Sequence, residues 1–118
     1  VDDGRPIFQQ IAQQLEERIL DGSMPEGSQV PSINELAAFH RINPATALKG
    51  VTRLVDAGVL HKRRGIGMFV SDGAREQLLA SRREAFRDAY VRPLVRQAAT
   101  LGLDPERLVE MIRKEAEG

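Results

Sequence analysis

The chain has no cysteine and no tryptophan, and among its 118 residues there are one tyrosine and four phenylalanines. Without cysteine, disulfide scaffolds, thiolate metal sites and cysteine nucleophiles are excluded together. No apolar run approaches the roughly 20 residues that a membrane-spanning helix requires. No basic stretch followed by an apolar core opens the chain, so no signal-peptide pattern is visible and a cytoplasmic location is expected. Net charge is missing too, since 17 basic side chains balance 17 acidic ones. What remains is a composition of 42% hydrophobic and 29% charged residues, enough for one ordinary domain or a small domain with a helical appendage.

The neutral total hides an uneven distribution. Between His40 and Gly67 stand six bases, Arg41, Lys49, Arg53, Lys62, Arg63 and Arg64, against one acid, Asp56. A basic face on a neutral chain can bind phosphates with a moderate salt dependence.

Val1 to Arg5, with two aspartates and a glycine, read as a loose arm. Pro6 suits a first helical turn, and Ile7, Ile11, Leu15 and Ile19 recur every four residues up to a stop near Asp21-Gly22. Gly22, Pro25 and Gly27 mark a loop. Ser32 and Glu35 form a capping box for a second helix, with Leu36, Phe39 and Ile42 expected to point inward. After the short turn His40-Arg41-Ile42, Asn43 and Pro44 restart a helix over residues 44–57. Ala47, Leu48, Val51, Leu54 and Val55 are its expected buried stripe, and Gly58 its stop. Gly50, unfavourable in mid-helix, is expected to mark close packing against the preceding helix. Val59-Leu60 and Met68-Phe69-Val70 read as two strands of a wing spanning 61–69, with Gly65-Ile66-Gly67 at its tip.

Two short helices, a tight turn and a basic hairpin, in that order, predict a winged helix-turn-helix. The expected architecture is mainly α with a small β-hairpin wing over residues 1–72, followed by a short α-helical dimerisation segment over 73–118. Small or polar residues at the start of the third helix, Ala45 and Thr46 and then Lys49, would let its end enter a major groove, with Arg53 further along the basic face. Arg63, Arg64, Gly65 and Gly67 suit a minor-groove wing, because arginine is drawn to the strong negative potential there.

Catalysis has little support. His40 and His61 are the only histidines and lack carboxylates at metal-ligand spacing. No nucleophile, base and orienter set is visible, and no helix or lysine–serine pair follows Gly65-Ile66-Gly67 as a nucleotide loop would need. No metal, cofactor or enzyme activity is predicted. The alternative to a DNA reader is a winged-helix module that binds RNA or a protein.

The run Pro6-Ile7-Phe8-Gln9-Gln10-Ile11, the turn residues Gly22, Pro25 and Gly27, and Pro31-Ser32-Ile33-Asn34-Glu35-Leu36-Ala37 resemble the GntR family of bacterial transcription regulators. Asn43-Pro44-Ala45-Thr46, Gly58-Val59-Leu60 and Arg64-Gly65-Ile66-Gly67-Met68-Phe69-Val70 continue the resemblance over about residues 5 to 71. The Asn-Pro pair and the short tail look most like the YtrA subfamily. The resemblance implies a dimeric regulator, usually a repressor, on a two-fold operator of double-stranded DNA. Its contacts would fall on Ser32, Asn34, Asn43, Ala45, Thr46, Lys49, Arg64 and Gly65. Arginine is frequent in relatives at the positions of Asn34, Pro44 and Leu48, so their base preference does not transfer.

After Ser71-Asp72-Gly73 a helical stripe runs through Leu79, Phe86, Tyr90, Leu94, Ala98 and Leu101. Pro93 should kink or break that helix, Gly102 should end it, and Asp104-Pro105 should cap a last helix carrying Leu108, Met111 and Ile112. About 45 residues are too few to enclose a metabolite pocket of roughly 300 Å3 or more with its own core. A homodimer built on Leu79, Phe86, Tyr90, Leu94 and Leu101, with Leu108 and Ile112 covering it, is expected instead. No residue cluster points to a particular small-molecule effector.

Overall fold

The computed structural model describes residues 5–118, so the arm expected at Val1 to Arg5 lies, Arg5 apart, outside the described residues. The elements are α1 (Ile7–Leu20), α2 (Ile33–His40), α3 (Pro44–Asp56), β1 (Leu60–Arg63), β2 (Gly67–Val70), α4 (Ala74–Phe86), a π-helical turn (Arg87–Val91), α5 (Arg92–Thr100) and α6 (Pro105–Glu117). The fold is thus mainly α with one antiparallel hairpin, a winged helix-turn-helix followed by a helical segment. Two compact units result, one running to Ala80 and the other from Ser81 to Gly118.

The first unit closes around one core. Ile11, Leu15 and Ile19 on α1 pack with Leu36 and Ala37 on α2, with Ala47, Val51 and Leu54 on α3, and with Val59, Leu60 and Val70. Ala74 and Leu78 from the start of α4 complete it. Each fully buried aliphatic side chain contributes about 1.5–3 kcal/mol relative to an exposed one. Ile7, the first residue of α1 on the same face, stays exposed. Gly50 does mark a close approach, but its neighbour is α1 and not α2. A Cβ there would stand 2.7 Å from the Phe8 carbonyl oxygen and 3.4 Å from Ile11.

The helix ends follow local chemistry. On α2, Ser32 and Glu35 exchange both capping-box hydrogen bonds. Its far end turns through Arg41 in the left-handed region, φ 56°, and Ile42 N–H closes onto the Ala37 carbonyl at 3.0 Å. The end of α3 turns the same way at Gly58, with Val59 N–H donating to Leu54 O at 2.9 Å.

Two side chains depart from the sequence expectation. Phe39 is 82% exposed and Leu48 is 48% exposed, where the sequence spacing predicts both in the interior. The packed face of α2 runs through Ile33, Leu36, Ala37 and His40, and that of α3 through Ala47, Gly50, Val51 and Leu54. At about 100° per residue, Phe39 and Leu48 each sit roughly a third of a turn off that face.

β1 and β2 pair in the register Leu60↔Val70, His61↔Phe69, Lys62↔Met68 and Arg63↔Gly67, so the first strand runs over Leu60–Arg63, not over the expected Val59-Leu60, and the second gains Gly67. Residues 28–30 lie along the far side of β2. Val30 N–H donates to Met68 O at 2.8 Å, Val70 N–H to Ser28 O at 3.0 Å, and Gln29 bridges Phe69.

In the second unit the helix does not break at Pro93. Proline has no N–H to donate and its ring crowds the carbonyl four residues back, so the chain widens into the π-helical turn just before it. Gly102, φ 72°, ends α5, and the Asp104 carboxylate accepts from Arg107 N–H at 2.8 Å to start α6. Among the described residues, no helix is long and apolar enough to cross a membrane.

Candidate nucleic-acid interface

Two helix N-termini are held open by side-chain caps. Glu35 Oε1 accepts from Ser32 N–H at 2.8 Å, and Ser32 Oγ accepts from Glu35 N–H at 3.1 Å. The Ser32 backbone N–H, and then its hydroxyl, hold the Glu35 carboxyl below the ordinary carboxylate range. At α3, Asn43 Oδ1 accepts from Ala45 N–H at 2.8 Å, with Pro44 as the first helical residue. That cap occupies the oxygen of the Asn43 carboxamide and leaves its NH2, a donor suited to phosphate. Asn34 and Ala45 are exposed, and Thr46 is half-buried.

The wing is organised by Phe69 on one face and Gln29 on the other side of β2. The Arg63 guanidinium lies 4.4 Å from the Phe69 ring centroid, and the His61 ring stacks on the same ring at 6.1 Å. Gln29 Nε2 donates to the Ile66 carbonyl at 3.0 Å, which ties the wing tip to the segment entering α2. Gly67 takes φ 145°, a conformation that residues with a Cβ rarely adopt, and a side chain there would also have to push the Gln29 carboxamide aside. Gly65 takes φ 76° at the tip, next to exposed Arg64.

The start of α2, the side of α3 and the wing share an open concavity of about 580 Å3, lined by Ser32, Ile33, Glu35, Leu48, Lys62, Ile66, Gly67 and Met68 among others. Lys49 and Arg53 sit elsewhere, on the flank of α3 that faces α1. Lys49 Nζ is 4.2 Å from the Phe8 ring centroid and Arg53 Cζ 5.7 Å from it. Such cation–π contacts hold the two charges side by side.

Residues 7–70 match the model of the bacterial regulatory proteins of the gntR family. The chain belongs to the GntR family. It is 32% identical over 109 residues to the transcriptional repressor YtrA of Bacillus subtilis, an alignment covering 92% of this chain and 83% of YtrA. A GntR-family transcriptional regulator from Bacteroides thetaiotaomicron superposes with a TM-score of 0.80 at 31% identity, covering 94% of this chain and 96% of that one. A transcriptional regulator from Oenococcus oeni, 19% identical, shares the fold at a TM-score of 0.81 over 98% and 95% of the two chains. This GntR protein is therefore a helix-turn-helix transcription regulator and not an enzyme, and its family implies DNA binding.

Sequence reasoning missed Gln29 in this GntR chain. Its signal was weak, a polar residue between turn glycines and an apolar Val30, and only the pairing with β2 gives it a role. The seven residues expected for dimerisation divide between the units. Leu79 is half-buried at the end of the first unit. In the second, Phe86, Tyr90 and Leu101 are widely exposed, with the Phe86 and Tyr90 rings 5.3 Å apart. Leu94, Leu108 and Ile112 line one shallow apolar depression with Met111. Asp88 and Arg92 pair at 3.2 Å across the π-helical turn.

Proposed function

We propose that this GntR regulator is a cytoplasmic homodimeric repressor that reads a two-fold operator, placing α3 in the major groove and the wing in the adjacent minor groove. The observation that carries this reading is the concavity in which the α2 start, α3 and the wing tip meet. Ser32, Asn34, Asn43, Ala45 and Thr46 address the groove floor and its phosphates, and Arg64, Gly65 and Gly67 enter the minor groove. Lys49 and Arg53, on the α1 flank, hold phosphates. The likeness to YtrA, itself a repressor, supports the direction of regulation.

Dimerisation is supported by the apolar side chains of the second unit, Phe86, Tyr90, Leu94, Leu101 and Ile112, which its own helices leave exposed. Pairing two chains over Leu79, Phe86, Tyr90, Leu94 and Leu101, with Leu108 and Ile112 covering them, would bury this surface. It would set half-sites about 34–36 Å apart, one helical turn of DNA.

Selection from random duplexes tests the reading. The expected product is a sequence with two-fold symmetry, bound by two chains with a moderate salt dependence. Failure to enrich any duplex, or an asymmetric site bound by one chain, would overturn it and send the basic face to RNA or a protein partner.

A further inference from the structure

We propose that Leu48 is a specificity-determining residue that reads the 5-methyl group of a thymine in each half-site. The inference rests on the operator-reading function above and goes beyond it by assigning a base. Leu48 lies one turn after the capped start of α3, yet it is 48% exposed and off the helix's packed face. It opens into the concavity shared by the α2 start and the wing, where Pro31, Ile33 and Met68 supply further apolar lining. In water, a branched apolar side chain so placed has nothing to gain until an apolar partner arrives. Ala45, three residues earlier on the exposed side of α3, is small enough to let the helix end approach the bases closely.

The side chain at 48 carries no donor and no acceptor, so it cannot recognise guanine, adenine or cytosine by hydrogen bonding. Among the four bases, only thymine presents an apolar group, its 5-methyl, on the major-groove edge. Burying one methyl against Leu48 is worth about a fourfold gain per half-site, or about 15-fold for a two-fold site, by the usual value of a buried CH2.

The test replaces thymines one position at a time, in both half-sites of the selected duplex, by deoxyuridine, which pairs identically and lacks only the methyl. With the wild-type protein, one position is expected to lose about 15-fold in affinity. Leu48→Ala is expected to bind the thymine duplex that much more weakly and to show no further loss on the deoxyuridine duplex. Leu48 is half-exposed, so the variant should keep its helical circular dichroism and melting curve, which the same samples report. A uniform response of the wild type to every deoxyuridine overturns the inference and leaves the operator reading standing. An undiminished deoxyuridine penalty in Leu48→Ala does the same. If no duplex can be selected, the operator reading falls and takes the inference with it.

Discussion

The two units of this chain stand at opposite ends of a scale of self-sufficiency. The first buries aliphatic side chains from three helices, the wing and the start of α4 in one contiguous cluster. The second buries only Ala98, and leaves Phe86, Tyr90, Leu101 and Ile112 more than half exposed. Both contain well-capped helices, so local chemistry does not separate them. The difference lies in layers: three helices and a hairpin can enclose a core, whereas a helix with one π-helical turn and a single partner helix have a face left over. Segments of about 40 residues or fewer usually need a staple or a second copy to be stable. On the function proposed above, the first unit would read the operator and the second would hold two chains together.

Truncating a core side chain should break the first unit outright. Leu54→Ala is expected to lower unfolding stability by about 2–5 kcal/mol, read from denaturant titration. The matching change in the second unit, Leu94→Ala, should cost far less at concentrations where the chain is monomeric. Equal losses in both would erase the distinction.

Phe86→Glu should act only on assembly. Light scattering is expected to show monomers, and operator affinity to fall by about two orders of magnitude, because two tethered half-site contacts become separate events. A dimer that survives this change moves the interface away from the Phe86 and Tyr90 rings.

Lys49→Ala sharpens the first unit from within. A base contact there would cost about 1–3 kcal/mol and relax the preference at one position. The placement beside Phe8 leads us to expect a uniform loss across sequences, with the salt slope reduced by about 1. A loss confined to one operator position would move Lys49 into the groove.

The smallest effect is expected at the α2 cap. Because Glu35 is held below the ordinary carboxylate range in the fold, its contribution is present above that range and is lost as pH falls through the lowered value. Glu35→Gln should therefore flatten the acid limb of the stability curve while changing little at neutral pH. An unchanged acid limb would remove the capping box as its cause.

Much of this was legible along the chain, for identifiable reasons. Ser32 with Glu35, Asn43 with Pro44, Gly58 and Asp104 with Pro105 act within one helical turn, and each cap formed where its residues stand. The alternation of Gly65 and Gly67 with basic neighbours likewise placed the wing. Phe39 and Leu48 depart from the expected interior because a three- or four-residue spacing defines a helix face without saying which of two adjacent faces a neighbour will cover. Gly50 was correctly expected at a close contact, but the contact is with Phe8, 42 positions away in sequence.

By itself, then, the sequence determined most of the elements, the helix caps, the order that makes a winged helix-turn-helix, and the basic stretch between His40 and Gly67. These depend on hydrogen bonds and torsions within a few residues. Tertiary structure alone decided that Gln29 would hold the wing tip, that Lys49 and Arg53 would stand against Phe8, and that Leu48 would open into the concavity. Each of those depends on where a distant segment lies, and that position is set by the packing of the whole core.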